Sequence, residues 1–354
     1  MRGKAWERKA IGNPLTPGPL RFTERNMPFS DIVGHRKQLA TLRWGLEKDR
    51  LHHAYVFLGS EGVGKKTVAL SLAKAIHCLE MDHDFCGSCA NCVRIENRNH
   101  PDVRLLGLLA RKKEISIEQI RELERGLNYR AFSGKQKVAI IDPAPLMNVS
   151  AQNALLKTLE EPPEGSVLIL VSTSAGALLP TLLSRCLRLS FAPLQSRDVA
   201  DYLVSQKGVK GEEAELRAAM AMGSLGRALA GDPEERVQKR RGWVRAIVSS
   251  ANGDLRGNAA LVEEISQDRE ETLKFLEWAE GWYRDILVYG ATGGDEELCN
   301  IDMIENIRDR AQADSLERSF FLRGEAILTA ARIRRNINRR IALERFLAHV
   351  AGLQ

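Results

Sequence analysis

The stretch AYVFLGSEGVGKKTVAL, from Ala54 to Leu70, decides the fold of this chain. It predicts a short apolar strand, then a glycine-rich turn, then the first turns of a helix. Gly59, Gly62, Gly64 and Lys65 fit the pattern G-x-x-x-x-G-K-[ST]. In that pattern the glycines let backbone N–H groups close around phosphate oxygens, and the lysine reaches the terminal phosphates. The stretch therefore predicts a phosphate-binding loop in a nucleotide-binding fold.

One position departs from this pattern. The hydroxyl residue that should follow Lys65 and bind magnesium is replaced by Lys66, and Thr67 comes one place later. Because one residue turns a helix by about 100°, the Thr67 hydroxyl should not point where the metal ligand is needed. An ammonium group at position 66 should also repel the metal. The loop therefore predicts a nucleotide-binding fold with a damaged capacity for hydrolysis.

A second nucleotide motif is also incomplete. The apolar, β-branched run KVAIID, residues 137–142, ends in Asp142. An aspartate at this strand end supports magnesium in P-loop ATPases, and an active enzyme of this type carries glutamate next, to activate the attacking water. Here the next residue is Pro143, which can neither accept a proton nor orient water. Asp142 is thus a candidate member of a degenerate nucleotide site.

Strands and helices alternate between residues 27 and 192. Beyond the strand before the phosphate loop, the predicted strands are 102–107, 137–142, 166–173 and 186–191. The predicted helices are 35–49, the helix after the loop to about 77, 115–127, 148–159 and 178–184. Ser116 and Gln119 form a capping box at the start of one of them. The continuous apolar run at 166–173 is typical of a strand buried in a parallel sheet. We therefore predict a doubly wound α/β domain.

Four of the six cysteines lie close together: Cys78, Cys86, Cys89 and Cys92. The core CGSCANC separates three thiolates by two residues each, a spacing that folds around tetrahedral Zn²⁺. Cys78, at the end of the preceding helix, is the expected fourth ligand. The alternative is that Cys78 is a core residue and that His83 or water completes the site. Because nothing in the cluster provides a catalytic base, we predict a closed structural zinc site.

The composition excludes several classes of protein. A chain of 354 residues with 44% hydrophobic content fits a globular protein of two or three domains. No apolar run approaches the roughly 18 residues of a membrane helix, and the N-terminus lacks the apolar core of a secretory signal. Clustered cysteines without a signal favour a cytoplasmic metal site over disulfides. The net charge is +6, and the first 26 residues hold six Lys or Arg against two Glu, so the remainder requires no basic nucleic-acid face.

The two ends of the chain differ from the middle. Residues 1–26 show no apolar periodicity, and we expect a disordered extension there. After Pro193 the pattern predicts small helices, and from about 234 only amphipathic helices. The aromatic residues at helical spacings, Trp243, Trp278 and Trp282 among them, are expected in the core rather than as a base-stacking platform. The arginines of a predicted last helix, 327–350, suggest a solvated or inter-subunit face.

Together these stretches resemble the bacterial clamp-loader subunits of the AAA+ class. The matching stretches, which span residues 27 to about 347, are PFSDIVGHRKQLATL, HHAYVFLGSEGVGKK, CGSCANC, GKQKVAIIDPAPLMNVSAQNALLKTLEEPP, LLSRC, GSLGRAL and RRNINRRIALE. The resemblance implies an AAA+ P-loop domain over 27–192 with an inserted zinc-binding segment at 78–92. It further implies a small helical lid over 193–233 and an all-α collar for oligomerisation over 234–354.

The resemblance also implies roles for single residues. Arg185, within Ser184-Arg185-Cys186, matches an arginine that reaches into the ATP site of the neighbouring subunit. A guanidinium suits that role because it is always charged and stabilises negative charge on a transferring phosphate. The alternative is that Arg185 only pairs with a carboxylate at an interface. Thr173 lies in the region of the family's first sensor, and Arg227 lies near the second, one place later than in the motor subunits.

Lys66 and Pro143 make the chain similar to the stator of that family, a subunit that donates an arginine finger without hydrolysing ATP. We therefore expect a non-hydrolysing subunit of a heteropentameric clamp loader of DNA polymerase III, with structural Zn²⁺ and with ATP or ADP weakly bound at most. Its expected partners are the motor (gamma/tau) and delta subunits, and the sliding clamp and primed DNA through the assembly. One alternative is an active ATPase motor subunit of the same assembly. Another is a zinc-dependent nucleic-acid module, which rests only on CGSCANC and the late arginines.

Overall fold

The computed structural model describes residues 28–110, 112–132, 135–254, 258–295, 298–335 and 337–353. The predicted disordered extension, residues 1–26, lies outside this part of the chain. The chain divides into two compact units. The first runs to Gln195 and includes Ser224–Gly226, and the second contains Ser196–Gly223 and the chain from Arg227 onward. The finer division into domain, lid and collar stays a prediction.

The first unit is built on a five-stranded parallel sheet. Its strands are β1 (Ala54–Leu58), β2 (Val103–Leu106), β3 (Lys137–Ile141), β4 (Ser166–Ser172) and β5 (Leu187–Ser190). They lie in the order β2-β3-β4-β1-β5, and every neighbouring pair is parallel. The predicted doubly wound parallel sheet is therefore confirmed. Because β1 leads directly into the glycine-rich loop, that loop lies at the carboxyl edge of the sheet, where such folds bind ligands.

Helices cover both faces of this sheet. They are α1 (Arg36–Glu47), α2 (Lys65–His77), α3 (Ala90–Glu96), α4 (Ile117–Leu127), α5 (Val149–Glu160) and α6 (Pro180–Leu183). Strand side chains alternate between the two faces. Tyr55 and Phe57 of β1 are buried with apolar residues of α1 and α2, whereas Val56 is buried with those of α4, α5 and α6. Burial on both faces explains the continuous apolar runs of β1 and β4.

Two helices of this unit show how local sequence sets helix ends. The predicted capping box of α4 is present, and the Gln119 side chain accepts a hydrogen bond from the Ser116 backbone N–H at 3.1 Å. The predicted helix 178–184 is shorter, since α6 spans only Pro180–Leu183. Leu178 and Leu179 are extended. Proline has no N–H and a fixed φ, so it favours the first position of a helix, and α6 begins there.

From residue 196 onward, the regular elements of the described residues are all helical, as the sequence predicts. They are α7 (Ser196–Lys207), α8 (Gly211–Met220), α9 (Leu225–Ala228), α10 (Pro233–Ala251), α11 (Ala259–Gln267), α12 (Arg269–Thr292), a short 3₁₀ turn (Ile301–Met303), α13 (Ile304–Ala313), α14 (Leu316–Arg334) and α15 (Arg339–Val350). The prediction of one last helix over 327–350 is wrong, because α14 and α15 are separate. The Asn338 side chain accepts a hydrogen bond from the Ile341 backbone N–H, and this N-cap starts α15.

Aromatic residues form the core of the second unit. Trp243, Phe275, Trp278, Trp282 and Tyr283 are all buried within one apolar cluster. The ring centroids of Trp278 lie 5.4 Å from those of Trp243 and 5.6 Å from those of Trp282. The prediction that these aromatics are core residues is therefore confirmed. Around this core and elsewhere in the described chain, no helix is both long and apolar enough to cross a membrane.

Candidate functional sites

The glycine-rich loop connects β1 to α2 with a backbone that glycine makes possible. A Cβ atom on Gly59 would lie 2.2 Å from the backbone oxygen of Phe191, so no other residue fits there without a shift. Gly62 and Gly64 have φ angles of 75° and 106°, in the region that side chains disfavour. A Cβ atom on Gly64 would meet nothing within 4 Å, so the loop has open space beside the start of α2. This geometry fits a phosphate group at a helix N-terminus.

Lys65 is buried at the first position of α2 and holds the loop closed. Its ammonium group donates hydrogen bonds to the backbone oxygens of Gly59 (2.7 Å) and Ser60 (2.6 Å). Burial lowers the pKa of Lys65, and the nearby charges of Asp142 and Glu61 oppose that shift. The ammonium group that should reach the terminal phosphates of a nucleotide is therefore bound to these two backbone oxygens. A bound nucleotide must therefore replace them.

Two residues that sequence reasoning did not assign to the site also support this loop. A ring nitrogen of His35 contacts the backbone oxygen of Val63 at 2.8 Å. The backbone N–H of Gly226, from the GSLGRAL stretch, donates to the backbone oxygen of Gly62 at 2.9 Å. A Cβ atom on Gly226 would lie 3.1 Å from the Gly62 Cα atom, so the approach is close. Both contacts join residues that are distant in sequence, so no local sequence pattern predicts them.

Lys66 forms an ion pair with Asp142. The Lys66 Nζ atom lies 3.1 Å from an oxygen of the Asp142 carboxylate, and both side chains are half-buried. Lys66 occupies the sequence position of the magnesium-binding hydroxyl, and Asp142 ends β3, where a supporting carboxylate is expected. Pro143 follows and has no side-chain acceptor. These residues therefore do not fit a magnesium ion held as in an active P-loop enzyme.

The Ser184-Arg185-Cys186 stretch presents one side chain outward and one inward. An Arg185 guanidinium nitrogen lies 2.7 Å from a carboxylate oxygen of Glu160, and another donates to the backbone oxygen of Thr181 at 2.9 Å. The Arg185 side chain is 35% exposed and that of Glu160 is 53% exposed. Cys186 is buried, and burial raises its thiol pKa to about 11. The guanidinium is therefore held at the surface of the first unit by a carboxylate of α5.

The two predicted sensor positions differ in their surroundings. Thr173 follows β4 and is exposed. Arg227, in α9, forms an ion pair with Glu277, and its backbone oxygen accepts a hydrogen bond from Arg236 at 2.8 Å. An arginine with these partners within the second unit is not a ready nucleotide ligand. The role of either residue as a sensor stays a prediction.

The four clustered cysteines come together. The sulfur atoms of Cys78, Cys86, Cys89 and Cys92 all lie within 4.8 Å of one another. Tetrahedral zinc, with Zn–S bonds of about 2.3 Å, needs sulfur atoms roughly 3.8 Å apart. The Cys86 N–H donates to the Cys78 sulfur (3.4 Å) and the Cys89 N–H to the Cys86 sulfur (3.2 Å). Hydrogen bonds lower the pKa of the Cys86 thiol to about 6, and the largest contribution comes from the Ser88 side chain. The donor set therefore fits zinc, and His83 is exposed and is not among the four.

A second buried group lies beside the cysteine cluster and was not predicted. Side-chain ligand atoms of His77, His100 and Asp102 lie within 4.8 Å of one another. Burial lowers the pKa of His77 to about 4, so its imidazole is neutral at pH 7. The Asp102 carboxylate accepts a hydrogen bond from the Phe132 backbone N–H at 2.8 Å. This group connects the end of α2, the start of β2 and the chain after α4.

The late arginines are largely engaged within the second unit. Arg339 donates to the backbone oxygen of Ser266 at 2.7 Å. Arg340 pairs with Glu263 at 2.8 Å and with Glu344 at 2.9 Å. Arginines with carboxylate partners offer less positive charge to a nucleic-acid backbone. These contacts count against the nucleic-acid module considered above.

Comparisons with known proteins agree with the motifs. A family model described as "DNA polymerase III, delta subunit" matches residues 34–195. The chain is 42% identical over 164 residues to DNA polymerase III subunit delta' of Bacillus subtilis, which covers 46% of this chain and 48% of that protein. It is 34% identical over 240 residues to subunit tau/gamma of Haemophilus influenzae, covering 66% and 34% of the two chains. The chain thus spans about a third to a half of the length of these curated relatives.

The similarity to solved structures is low. A DNA polymerase III gamma subunit-related protein from Thermotoga maritima has a TM-score of 0.40 at 17% identity, over 89% of this chain and 99% of that one. The clamp loader delta protein of Bacillus subtilis has a TM-score of 0.33 at 13% identity, over the same shares. The sequence comparisons confirm the resemblance that the motifs indicate: residues 34–195 match the family model, and the chain is similar to the delta' and tau/gamma subunits of DNA polymerase III.

Proposed function

We propose that this chain is a delta-prime, or stator-like, subunit of the DNA polymerase III clamp loader. It donates Arg185 to the ATP site of a neighbouring motor subunit and does not hydrolyse ATP at its own loop. The assembly opens a sliding clamp and loads it on primed DNA for the replicative polymerase. The observation that carries the proposal is a contrast within one unit. The glycine-rich loop lacks the groups that hydrolysis needs, whereas the Arg185 guanidinium is partly exposed and held in one orientation.

Each group that ATP hydrolysis requires at this loop is either replaced or engaged in another contact. Lys66 pairs with the carboxylate that would support magnesium, and Lys65 is bonded to backbone oxygens of the loop. Pro143 stands where an active ATPase has its water-activating glutamate. Since phosphoryl transfer depends on positioning and on charge neutralisation by the metal, these changes remove most of the catalytic contribution.

Arg185 has the properties of a group that acts on another subunit. Its exposed ion pair with Glu160 contributes about 0.2–1 kcal/mol in water, so a phosphate of higher charge can replace the carboxylate at small cost. The contact with the Thr181 backbone oxygen orients the guanidinium before that exchange. An arginine finger supplied in trans raises phosphoryl-transfer rates by about 10³–10⁵. A residue that only filled an interface would contribute nothing to the rate of the partner's chemistry.

An exposed apolar face on α14 supports assembly with neighbouring subunits. Phe320 is 69% exposed, and Leu316, Phe321, Ile327 and Leu328 are also exposed. Leu316 and Phe320 are four residues apart, and Phe320 and Ile327 are seven apart, so they share one side of the helix. A contiguous apolar surface of this kind is typical of a protein interface. We assign this α14 face to another clamp-loader subunit in the heteropentamer.

The four cysteines complete the proposal as a structural zinc site. Bound to Cys78, Cys86, Cys89 and Cys92, zinc would have four thiolate ligands, which is the closed arrangement of structural sites. It would supply no catalytic water and would order the segment between α2 and α3. The chemistry of the assembly therefore does not pass through this metal.

A second candidate is an active ATPase motor subunit of the gamma/tau type. It is favoured by one observation, since the tau/gamma relative matches 66% of this chain whereas the delta' relative matches 46%. The pairing of Lys66 with Asp142 counts against it. Hydrolysis by the isolated chain, measured beside a Lys65→Ala variant, separates the two candidates. Turnover that this substitution abolishes would overturn the stator assignment.

The experiment that tests the proposal is a reconstituted ATPase assay. Motor and delta-type subunits, sliding clamp and primed DNA are combined with wild-type, Arg185→Ala or Arg188→Ala protein. Arg188 lies in β5, close to Arg185 in sequence, and is also exposed, which makes it a matched control. We expect Arg185→Ala to assemble normally but to stimulate hydrolysis at least tenfold less than wild type. Full stimulation by an assembled Arg185→Ala complex would reduce Arg185 to an interface residue.

A further inference from the structure

The ion pair between Lys66 and Asp142 stands where a P-loop protein holds its metal. Lys66 is the second residue of α2, and Asp142 follows β3, two strands away from β1 in the sheet. The two groups meet at 3.1 Å beside the glycine-rich loop. The positive charge at this end of the loop is therefore supplied by the Lys66 side chain rather than by a metal ion.

Magnesium and this ammonium group cannot both use the site in the ordinary way. Magnesium requires oxygen ligands at about 2.0–2.1 Å in near-octahedral geometry. The hydroxyl ligand is absent at position 66, and the Asp142 carboxylate already faces a cation. A divalent ion bound to that carboxylate would lie within a few ångströms of Lys66 and be repelled. The site therefore disfavours a divalent cation while keeping one positive charge in its place.

The remaining parts of a phosphate site are present. Gly62 and Gly64 keep the backbone conformation of the loop, and the space beside Gly64 is open. The loop ends at the N-terminus of α2, a helix of 13 residues. An ammonium group has three donors, so Lys66 can contact Asp142 and a phosphate oxygen together. Lys65 can exchange its two backbone acceptors for charged phosphate oxygens, which are stronger acceptors.

We propose that this loop binds the phosphate groups of a nucleotide without a divalent cation, with the Lys66 ammonium group in the place of magnesium. Lys65 and Lys66 bring two ammonium groups to the phosphate chain; Asp142 pairs with Lys66, and the negative charges of Asp142 and Glu61 both act on Lys65. With no metal and no activating carboxylate, the bound nucleotide is retained and not hydrolysed. This inference concerns the chain's own loop and does not depend on the role of Arg185.

The test is a binding measurement rather than an activity assay. Isothermal titration of the full chain is performed with ATP, ADP and inorganic pyrophosphate, each in excess EDTA and in millimolar Mg²⁺. The three ligands separate recognition of a nucleotide from recognition of phosphate alone. The variants are Lys66→Thr, which restores the hydroxyl of the pattern, Lys66→Gln, which removes only the charge, and Lys65→Ala. Lys113→Thr, an exposed lysine between β2 and α4, is the matched control.

For wild type and Lys113→Thr, we expect ATP affinities in EDTA and in Mg²⁺ that agree within about threefold. Lys66→Thr should bind ATP at least tenfold more tightly with Mg²⁺ than with EDTA. Lys66→Gln should bind weakly under both conditions, and Lys65→Ala should not bind. Circular dichroism verifies that each variant is folded.

Four results would overturn the inference. The first is wild-type binding that requires Mg²⁺. The second is the absence of binding of every ligand by wild type under both conditions. The third is metal-independent binding by Lys66→Thr equal to that of wild type, which would show that Lys66 does not replace the metal. Pyrophosphate binding without ATP binding would restrict the ligand to a phosphate chain alone and would contradict a nucleotide site.

Discussion

Removal of metal from the four-cysteine cluster should unfold the loop of residues 79–89 and leave the parallel sheet folded. The buried core of this segment consists of Cys78, Phe85, Cys89 and Cys92, so most of its interior is sulfur. Without a metal, the loop keeps Phe85 and the contacts of Asp84 with the Phe29 N–H and the Arg43 side chain. The question is whether these contacts suffice to order it.

The energies indicate that they do not. Ordering the eleven residues from 79 to 89 costs about 11–22 kcal/mol at 1–2 kcal/mol each. Burial of Phe85 returns about 2 kcal/mol, and the two contacts of Asp84 return about 1 kcal/mol each. A structural zinc site contributes about 10–16 kcal/mol. With zinc the favourable contributions, about 14–20 kcal/mol, match the cost of ordering the loop, and without zinc they fall short of it by at least about 7 kcal/mol. In contrast, α3 should remain partly protected, because Ile95 packs in the core of the first unit.

The assay is hydrogen exchange with mass spectrometry on the protein before and after treatment with a strong zinc chelator, with metal content measured in parallel. We expect one zinc per chain before treatment. After treatment, the amides of residues 79–89 should exchange as in an unfolded chain, while those of β1, β3 and β4 stay protected. Cys89→Ser should reproduce the chelated state, and Cys299→Ser, a cysteine outside the cluster, should behave as wild type. A zinc-free protein whose loop remains fully protected would refute the reasoning.

Three further substitutions test other parts of the structure. Glu160→Gln removes the ion pair of Arg185 and should lower the free energy of unfolding by no more than about 1 kcal/mol in urea titration, because the pair is exposed. Gly59→Ala should lower it by about 1–3 kcal/mol in the same titration, because its Cβ atom would overlap the Phe191 backbone oxygen. Phe320→Ser should change stability by less than about 0.5 kcal/mol, but should weaken co-elution with motor subunits in size-exclusion chromatography.

Each of these substitutions has a matched control. Glu164→Gln changes another exposed glutamate shortly after α5, and an equal effect would show that the Arg185 pair contributes nothing specific. At Gly176 a Cβ atom would meet only the Ser174 hydroxyl at 3.7 Å, an ordinary contact, so Gly176→Ala should be tolerated. Phe132→Ser alters a side chain that is 83% exposed in the first unit, and normal assembly is expected of it. Normal co-elution by Phe320→Ser would remove the α14 face from the interface.

The sequence predicted those features that depend on neighbours along the chain. The strand, loop and helix around Gly64 follow from the apolar periodicity and from glycine's freedom at positive φ. Both of these features are visible in the local sequence. The capping box of α4 was predictable for the same reason, since its two residues are three positions apart. The four cysteines were predictable because metal spacing is also a local pattern. Each of these correctly predicted features depends on residues that are close together in the sequence.

The features that the sequence did not predict depend on residues far apart. The contact of Gly226 with Gly62 joins positions more than 160 residues apart, and the pair of Glu160 with Arg185 requires α5 and α6 to pack. The group of His77, His100 and Asp102 forms only when β2 lies beside the end of α2. The division between α14 and α15 depends on the Asn338 N-cap, which stands in a run of arginines whose pattern favours one continuous helix.

The alternation of side chains at Ser184-Arg185-Cys186 limits how this stretch can vary in evolution. Position 186 faces the core, so it should accept alanine, valine or another small apolar residue without loss of function. The Ser184 hydroxyl donates to the Thr181 backbone oxygen, a contact that threonine can also make. At position 185, lysine would keep the charge but lose the planar group of five donors that pairs with the Glu160 carboxylate and, in the proposed role, with a phosphate. Natural variation should therefore be broad at position 186 and, under the proposed role of Arg185 on a neighbouring subunit, almost absent at position 185.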